Sequence, residues 1–361
     1  MNILKQSSFS LFLAGILAIF LSACSEDVQR GLQPVPTAFG KVNQIEILID
    51  EELWEGPVGD TLRFYYSGAY PILPQPEPIF DLRPITPNQL EMDPIKKELR
   101  NYLIVADLSD TESPTAIMVR RDLGEEKVRK AKEDPSFNSS VGRDKWAMGQ
   151  LLIYQFGFSE EDLINHLKKN FPAIKKRFRD SDRDRIDATV YFNGESGSLK
   201  NEIKEKMDAQ MRVPNDFVLA ISDEEIIWMR KNTPEMSSNL ILSKVDYTDQ
   251  EQLTKEGIKS IRDSIGKKYI SSTLPNTYMR INDIDLPMFT SAKTLNNNYA
   301  LEARGIWEIA NDYMGGAFVS YLIHNPSKQE LLFVDGFVHA PGKDKRDFMQ
   351  QLEHIISTVE F

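Results

Sequence analysis

Between residues 286 and 340 four strand-like runs follow one another almost without pause: LPMFTSAKTL, NYALEARGIWEI, GGAFVSYLIH and ELLFVDGFVHA. The gaps between them hold turn residues only, far short of the roughly dozen residues that a parallel crossover needs. Consecutive strands there have to pair antiparallel. Upstream, FVLAI and IIWMR (217–230) read as a hairpin around SDEE, and NLILSKVDY (239–247) as a third strand. One helix interrupts the series, capped by Thr248 and Glu251, with Leu253, Gly257, Ile258, Ile261 and Ile265 on one face. After Pro341-Gly342 a last helix carries Phe348, Met349, Leu352, Ile355, Ile356 and Val359 at helical spacing. An antiparallel sheet with helices segregated from it, packed on one side, is an α+β fold.

The first half alternates more irregularly. QIEILID (44–50) opens structured sequence, and NYLIVADL (101–108) and TAIMVRRD (115–122) read as paired strands. GEEKVRKAKED reads as a charged helix, and WAMGQLLIYQFG (146–157) as a buried strand. Ser159 and Asp162 form a capping-box-like start to the helix SEEDLINHLKKNF. Between 70 and 94, prolines at 71, 74, 76, 78, 84, 87 and 94 remove ladder donors and favour extended chain. That stretch reads as a long surface connection packed by Tyr70, Ile72, Leu73, Ile79 and Phe80, with a partner-binding arm as the alternative. YFNGESGSLKNE (191–202) supplies a flexible junction, which divides the chain into α+β domains at 41–193 and 200–361. QLLIYQFGFSEEDLINHLKKNF and ELLFVDGFVHAPGKDKRDFMQQLEHII are both strand-then-helix units, and leave a duplicated domain open as an alternative.

The N-terminus gives an address. Lys5 precedes an apolar stretch from Phe9 to Leu21, the length of a signal-peptide core and shorter than a membrane-spanning helix. Leu21-Ser22-Ala23-Cys24 follows, and Cys24 is the single cysteine of 361 residues. Residues 1–23 are expected to be a signal peptide cut between Ala23 and Cys24, with Cys24 lipidated and residues 24–40 a polar tether. Two or three acyl chains, at about 0.8 kcal/mol per buried methylene, hold a protein to a bilayer where one holds it only marginally. Glu26 and Asp27 match a short acidic export tag and also a plain solvated tether, so the periplasmic face and the cell surface of an outer membrane both stay open.

With 43 basic against 54 acidic residues the net charge is −11, and removal of Lys5 with the signal leaves −12. An acidic chain with no basic block is unsuited to nucleic acid or to anionic lipid surfaces. Hydrophobic content of 41% and 10% aromatics are globular values.

The stretch 315–353, GGAFVSYLIHNPSKQELLFVDGFVHAPGKDKRDFMQQLE, together with RDKWAMGQ (143–150) and the lipobox, resembles the Bacteroidetes lipoprotein family catalogued as domain of unknown function 4837. The resemblance implies an envelope location and carries no catalytic assignment. The element order of the second half is similar to the Mog1/PsbP-type sandwich.

No standard catalytic set emerges. His166, His324, His339 and His354 lie at no metal-ligand spacing, and no Gly-rich phosphate loop is present, so neither metal nor cofactor is expected. Asp180, Asp182 and Asp184 alternate like the start of a calcium loop, but Arg185 and Tyr191 occupy the positions that need Gly and Glu. Asp335 and His339 fall on one face of a strand, where a carboxylate and an imidazole could orient each other for general-base work. A polar outer face explains the same pair without chemistry. Trp54, Trp146, Trp228 and Trp307 fit core positions as well as a carbohydrate platform. The expectation is a membrane-anchored envelope lipoprotein acting as a non-catalytic binding or assembly module, with another envelope protein or a glycan as partner. The alternatives are a hydrolase using Asp335 and His339, and a small-molecule or lipid carrier.

Overall fold

The computed structural model describes residues 35–325 and 327–361. The signal peptide, Ala23, Cys24 and the first part of the tether lie outside the described residues. In the first half β1 (Gln44–Leu48), β2 (Asp81–Ile85), β3 (Asn101–Asp107), β4 (Ser139–Arg143) and β5 (Leu151–Gly157) form one sheet, ordered β2-β1-β3-β5-β4. All pairs are parallel except that of the edge strand β4. Helices α1 (Glu51–Glu55), α2 (Pro57–Tyr66), α3 (Pro87–Met92), α4 (Pro114–Leu123), α5 (Glu125–Glu133) and α6 (Glu160–Val190) make the connections. Val58, Leu62 and Tyr66 of α2 join Leu163, Leu167 and Phe178 of α6 on one face, and α4 and α5 cover the other. A parallel sheet buried on both faces needs continuous apolar strands. NYLIVAD and LLIYQFG are such runs, buried almost throughout.

The second half holds β6 (Val218–Ser222), β7 (Ile226–Asn232), β8 (Ser237–Asp246), β9 (Tyr278–Ile281), β10 (Phe289–Leu295), β11 (Asn298–Ala310), β12 (Gly315–Asn325) and β13 (Glu330–His339). Its antiparallel order is β10-β11-β12-β13-β8-β7-β6, with β9 laid along β11. Helix α7 (Gly197–Met207) and the last helix α9 (Arg346–Ile356) pack on the face of Leu240, Val319 and Val334; α8 (Lys255–Tyr269) packs on the face of Ile241, Phe318 and Phe333. The chain is thus a mixed α+β protein.

Four expectations are corrected. Helices cover both faces of each sheet rather than one, which is why β12 and β13 are buried along nearly their whole length. The halves are not copies: one sheet is mainly parallel and the other antiparallel, so the two strand-then-helix units sit in different surroundings. The stretch 115–122 is helix α4, because Ser113 caps it by accepting from the Ala116 amide and Pro114 takes the first position, where its missing N–H costs nothing. The helix begun at Glu160 runs on through Pro172 to Val190. Beneath its charged exterior Ile174, Phe178, Asp182 and Ile186 recur every four residues on one face. Among the described residues no helix is long and apolar enough to cross a membrane.

One buried carboxylate works against the fold. Glu46 on β1 is 4% exposed and takes a hydrogen bond from Gln44 Nε2. Burial holds its pKa above the ordinary carboxylate value, outweighing Gln44 and the more distant Arg83 and Lys96. A raised carboxyl pKa means that the folded chain binds this proton more tightly than the unfolded one. Stability therefore falls as pH rises from the unfolded pKa through the folded one, and stays lower above it. Glu46→Gln is expected to raise the urea midpoint at pH 7 and to flatten the pH dependence of stability between pH ~4 and ~7. An unchanged or lower midpoint would show that the carboxylate is solvated.

Candidate functional site

The two halves are sewn together by the proline-rich stretch expected to be a surface connection. Tyr70 and Leu73 are buried within the hydrophobic core of the second half, beside Met349, Leu352 and Ile356 of α9. Further along, the Glu77 carboxylate accepts from the Lys345 amide (2.6 Å) and the Arg346 amide (2.8 Å). Helix α9 has no side-chain cap of its own, so Glu77 supplies one from the other half. Arg346 then reaches back to Asp81 (Nη2 to Oδ2, 2.9 Å) and to the Pro78 carbonyl (2.8 Å). Opposing its burial, Asp81 and Asp347 hold this guanidinium above its ordinary pKa. Asn43 and Gln350 exchange side-chain hydrogen bonds at 2.7 and 3.0 Å, and His354 Nε2 meets Asp187 of α6 at 2.8 Å. The segment is therefore a clasp. Glu77→Gln should cost about 1–2 kcal/mol, the worth of a charged helix cap, read as a lower denaturation midpoint with faster amide exchange in the first turn of α9. Unchanged exchange there would mean that Glu77 does not cap the helix.

Ligand sites favour domain interfaces, and this seam opens into a cleft on either side of the clasp. One, about 490 Å³, is lined by Lys41, Arg185 and Arg346 together with Glu77, Asp81, Asp344 and Asp347, with charges nearly balanced. The other, about 430 Å³, is lined by Lys175 and Arg179 of α6, Ser291 and Lys293 of β10, and Ile72 of the clasp, over a floor of Glu302, Arg304 and Glu353. The floor is fully paired. Arg304 Nε and Nη2 donate to Glu302 at 3.0 Å each and Nη1 to Glu353 at 2.6 Å; Tyr321 donates to Glu302 at 2.7 Å and Tyr70 to Glu353. Burial, with the negative charge of Glu353, lifts the Tyr70 hydroxyl pKa well above its usual value and keeps it a donor. Despite burial, Arg304 holds Glu302 below the carboxylate range. Ile72 stands in the cleft wall at φ 53°, a left-handed conformation rarely adopted by a β-branched residue.

The residues singled out from the sequence fall elsewhere. Asp335 is 2% exposed beneath α8, where its Oδ1 accepts from Arg262 Nε (3.1 Å) and Ser320 Oγ (2.6 Å). His339 shares its strand face but pairs its Nδ1 with the Gly315 carbonyl at 3.1 Å, near Trp307. No hydrogen bond joins Asp335 to His339 among the described residues. The face expected to be a polar exterior is covered instead, because α8 packs on it. Asp182 of the alternating aspartates is also buried, accepting from the Asn43 amide (2.8 Å) and from Arg100 (2.5 Å), which ties α6 to the start of β3. At the carboxyl ends of the parallel strands, where open α/β sheets often bind ligands, lies a third hollow. Its Asp50 is engaged by Thr115 (2.8 Å) and Ser113, anchoring α4 to β1.

Residues 196–358 match the family described as domain of unknown function, DUF4837. The matched stretch starts within one residue of α7 and takes in α9, so the clasp and α6, which supply the other side of the seam, lie outside it. Residues 38–191 match a different family, also of unknown function, DUF8532. RDKWAMGQ (143–150), read with 315–353 as part of one resemblance, falls within this second match instead. No curated protein is similar to the chain. Among solved structures, the Ran-binding protein Mog1p of Saccharomyces cerevisiae aligns at 8% identity over 42% of this chain and 89% of its own, with a TM-score of 0.28. Human StAR-related lipid transfer protein 5 aligns at 9% identity over 45% and 92%, with a TM-score of 0.23.

Proposed function

We propose that the chain is a lipid-anchored, non-catalytic binding module of the cell envelope, which captures its ligand at the seam between its halves. The observation that carries this reading is the cleft of about 430 Å³, whose walls come from both halves and whose floor is fixed by the Arg304 pairings before any ligand arrives. Such a preformed, polar-floored cleft suits recognition. Asp335 and His339, the pair that a hydrolase would need, are engaged with Arg262 and Gly315 and separately placed. Attachment through Cys24, after cleavage behind Ala23, supplies the membrane link, with the domain on the periplasmic face or the surface of the outer membrane. An envelope glycan or protein group is the ligand source this location offers.

Native mass spectrometry of the full chain extracted from its own membranes tests the reading. One small ligand retained unchanged per chain, and lost on Arg304→Ala, is the expected result. Release of a chemically altered product on incubation would make the chain an enzyme and overturn it.

A further inference from the structure

The lining of the cleft beside Arg304 is net cationic in an acidic chain. In a chain of net charge −11, four cationic side chains line it, Lys175, Arg179, Lys293 and Arg304, against two carboxylates, Glu302 and Glu353. Both carboxylates are spent on Arg304 and the two tyrosines beneath it. Lys175 and Arg179 have no carboxylate within ion-pair distance and no hydrogen bond from their side chains among the described residues, and Lys293 has only a loose approach to Glu302 at 3.8 Å. Lys175 is half-buried against Phe171, its ammonium 5.7 Å from the ring centre. Like charges brought together on a cleft wall repel one another, and for Lys175 and Arg179 no carboxylate within ion-pair distance among the described residues offsets that cost. An anion seated among them would. Burial, then the neighbouring Arg179 and Lys293, already holds Lys175 below the usual lysine pKa. The remaining wall is of another kind. Phe289 stands 55% exposed at the rim, next to Ile72 and Pro71, while Ser291 and Thr290 add hydroxyls.

We propose that this cleft binds an organic oxyanion of charge near −2, a phosphate monoester, with the oxyanion held by Lys175, Arg179 and Lys293 and the attached organic group laid against Phe289 and Ile72. Two ammonium groups and a guanidinium supply more N–H donors than one phosphate can use, and Arg179 offers the planar fork that pairs with two phosphate oxygens. Arg304 does not move to the ligand; clamped by Glu302 and Glu353, it contributes fixed positive charge from below. The same chemistry could be presented by a free sugar phosphate or by the phosphate of a lipid headgroup. This assignment deepens the binding-module reading and depends on it.

The test is titration calorimetry of the full chain in neutral detergent with three probes: inorganic phosphate, glucose 6-phosphate, and the soluble short-chain lipid dihexanoyl phosphatidic acid. The expected result is one-to-one binding of at least one ester, tighter than inorganic phosphate. Lys175→Ala/Arg179→Ala should weaken it by at least about tenfold, or ~1.4 kcal/mol, while Lys204→Ala on the exposed side of α7 leaves it unchanged. Because neither side chain is hydrogen-bonded in the fold among the described residues and their mutual repulsion is relieved, the double variant should melt no lower than the wild type, which separates lost binding from lost structure. Preference for glucose 6-phosphate assigns the oxyanion to a free ester, and preference for the lipid to a headgroup; either supports the site. No saturable binding of any probe, or binding untouched by the double variant, overturns it. If a neutral ligand is retained in native mass spectrometry while the phosphate probes fail, the oxyanion assignment falls and the binding-module reading stands.

Discussion

Replacing Asp335 with alanine is expected to destabilise the chain by about 3–5 kcal/mol, the cost of leaving a buried charge without its counter-ion. Arg262 and Asp335 are each 2% exposed. The guanidinium lies 3.8 Å from the centre of the Phe318 ring, and its Nη2 reaches only the Met279 sulfur at 3.7 Å. Arg262 Nη1 has no hydrogen-bond partner among the described residues. Without the Asp335 carboxylate, no other acid lies within ion-pair distance of this cation among the described residues, and Ser320 loses its acceptor as well. Urea denaturation of Asp335→Ala should show the midpoint shift with little change in slope. The double variant Arg262→Met/Asp335→Leu, which fills the space with apolar atoms, should recover most of the loss, since a buried pair gains little over a packed hydrophobic substitute. A loss below about 1 kcal/mol in Asp335→Ala would mean that water reaches Arg262. The experiment also separates roles: an essential general base would give a folded, inactive protein, whereas this carboxylate should act on folding.

Cys24→Ser should abolish fatty-acid labelling completely. Cys24 is the chain's only cysteine, so under the proposed anchoring a clickable palmitate analogue has no other thiol to mark. Acyl chains contribute about 0.8 kcal/mol per methylene, and two or three of them exceed anything the polar tether could add. Labelled wild type should resist extraction of the membranes with alkaline carbonate and come off in detergent. Absence of label on the wild-type chain would sink the anchor.

Legibility in the sequence followed the range of the interactions involved. Strands β10 to β13 and helices α8 and α9 were readable because their signals are local: closely spaced apolar runs, turn residues between them, and apolar rows at helical spacing. Helix α4 was not, since Thr115, Ile117 and Val119 are β-branched and suit a strand, although Ser113-Pro114 ahead of them is a helix start. In α6, Pro172 and the charged run 175–185 hid the row of buried residues beneath. The strand position of Asp335 was readable, but its partner Arg262 lies 73 residues away on a helix. The seam was out of reach. Glu77 meets the start of α9 across 268 residues, and Tyr70 meets Glu353 across 283; neither contact leaves a local mark. A usable hint for the cationic cleft did exist in Lys175 and Arg179, one helical turn apart with no acid four residues before either.

The clasp also sets an order of events as the protein is made. Residues 70–81 are made long before α9, the helix they grip 268 residues further on. Until then Tyr70 and Leu73 have no core to enter, and Pro71, Pro74 and Pro76 keep their stretch extended and open to proteases. A chain stopped prematurely ahead of α9 would contain every strand of both sheets and still fail to fasten. Its clasp would stay unengaged, marking the truncated product for degradation before it could accumulate. Fastening of the clasp thereby reports that synthesis has passed both sheets and reached α9.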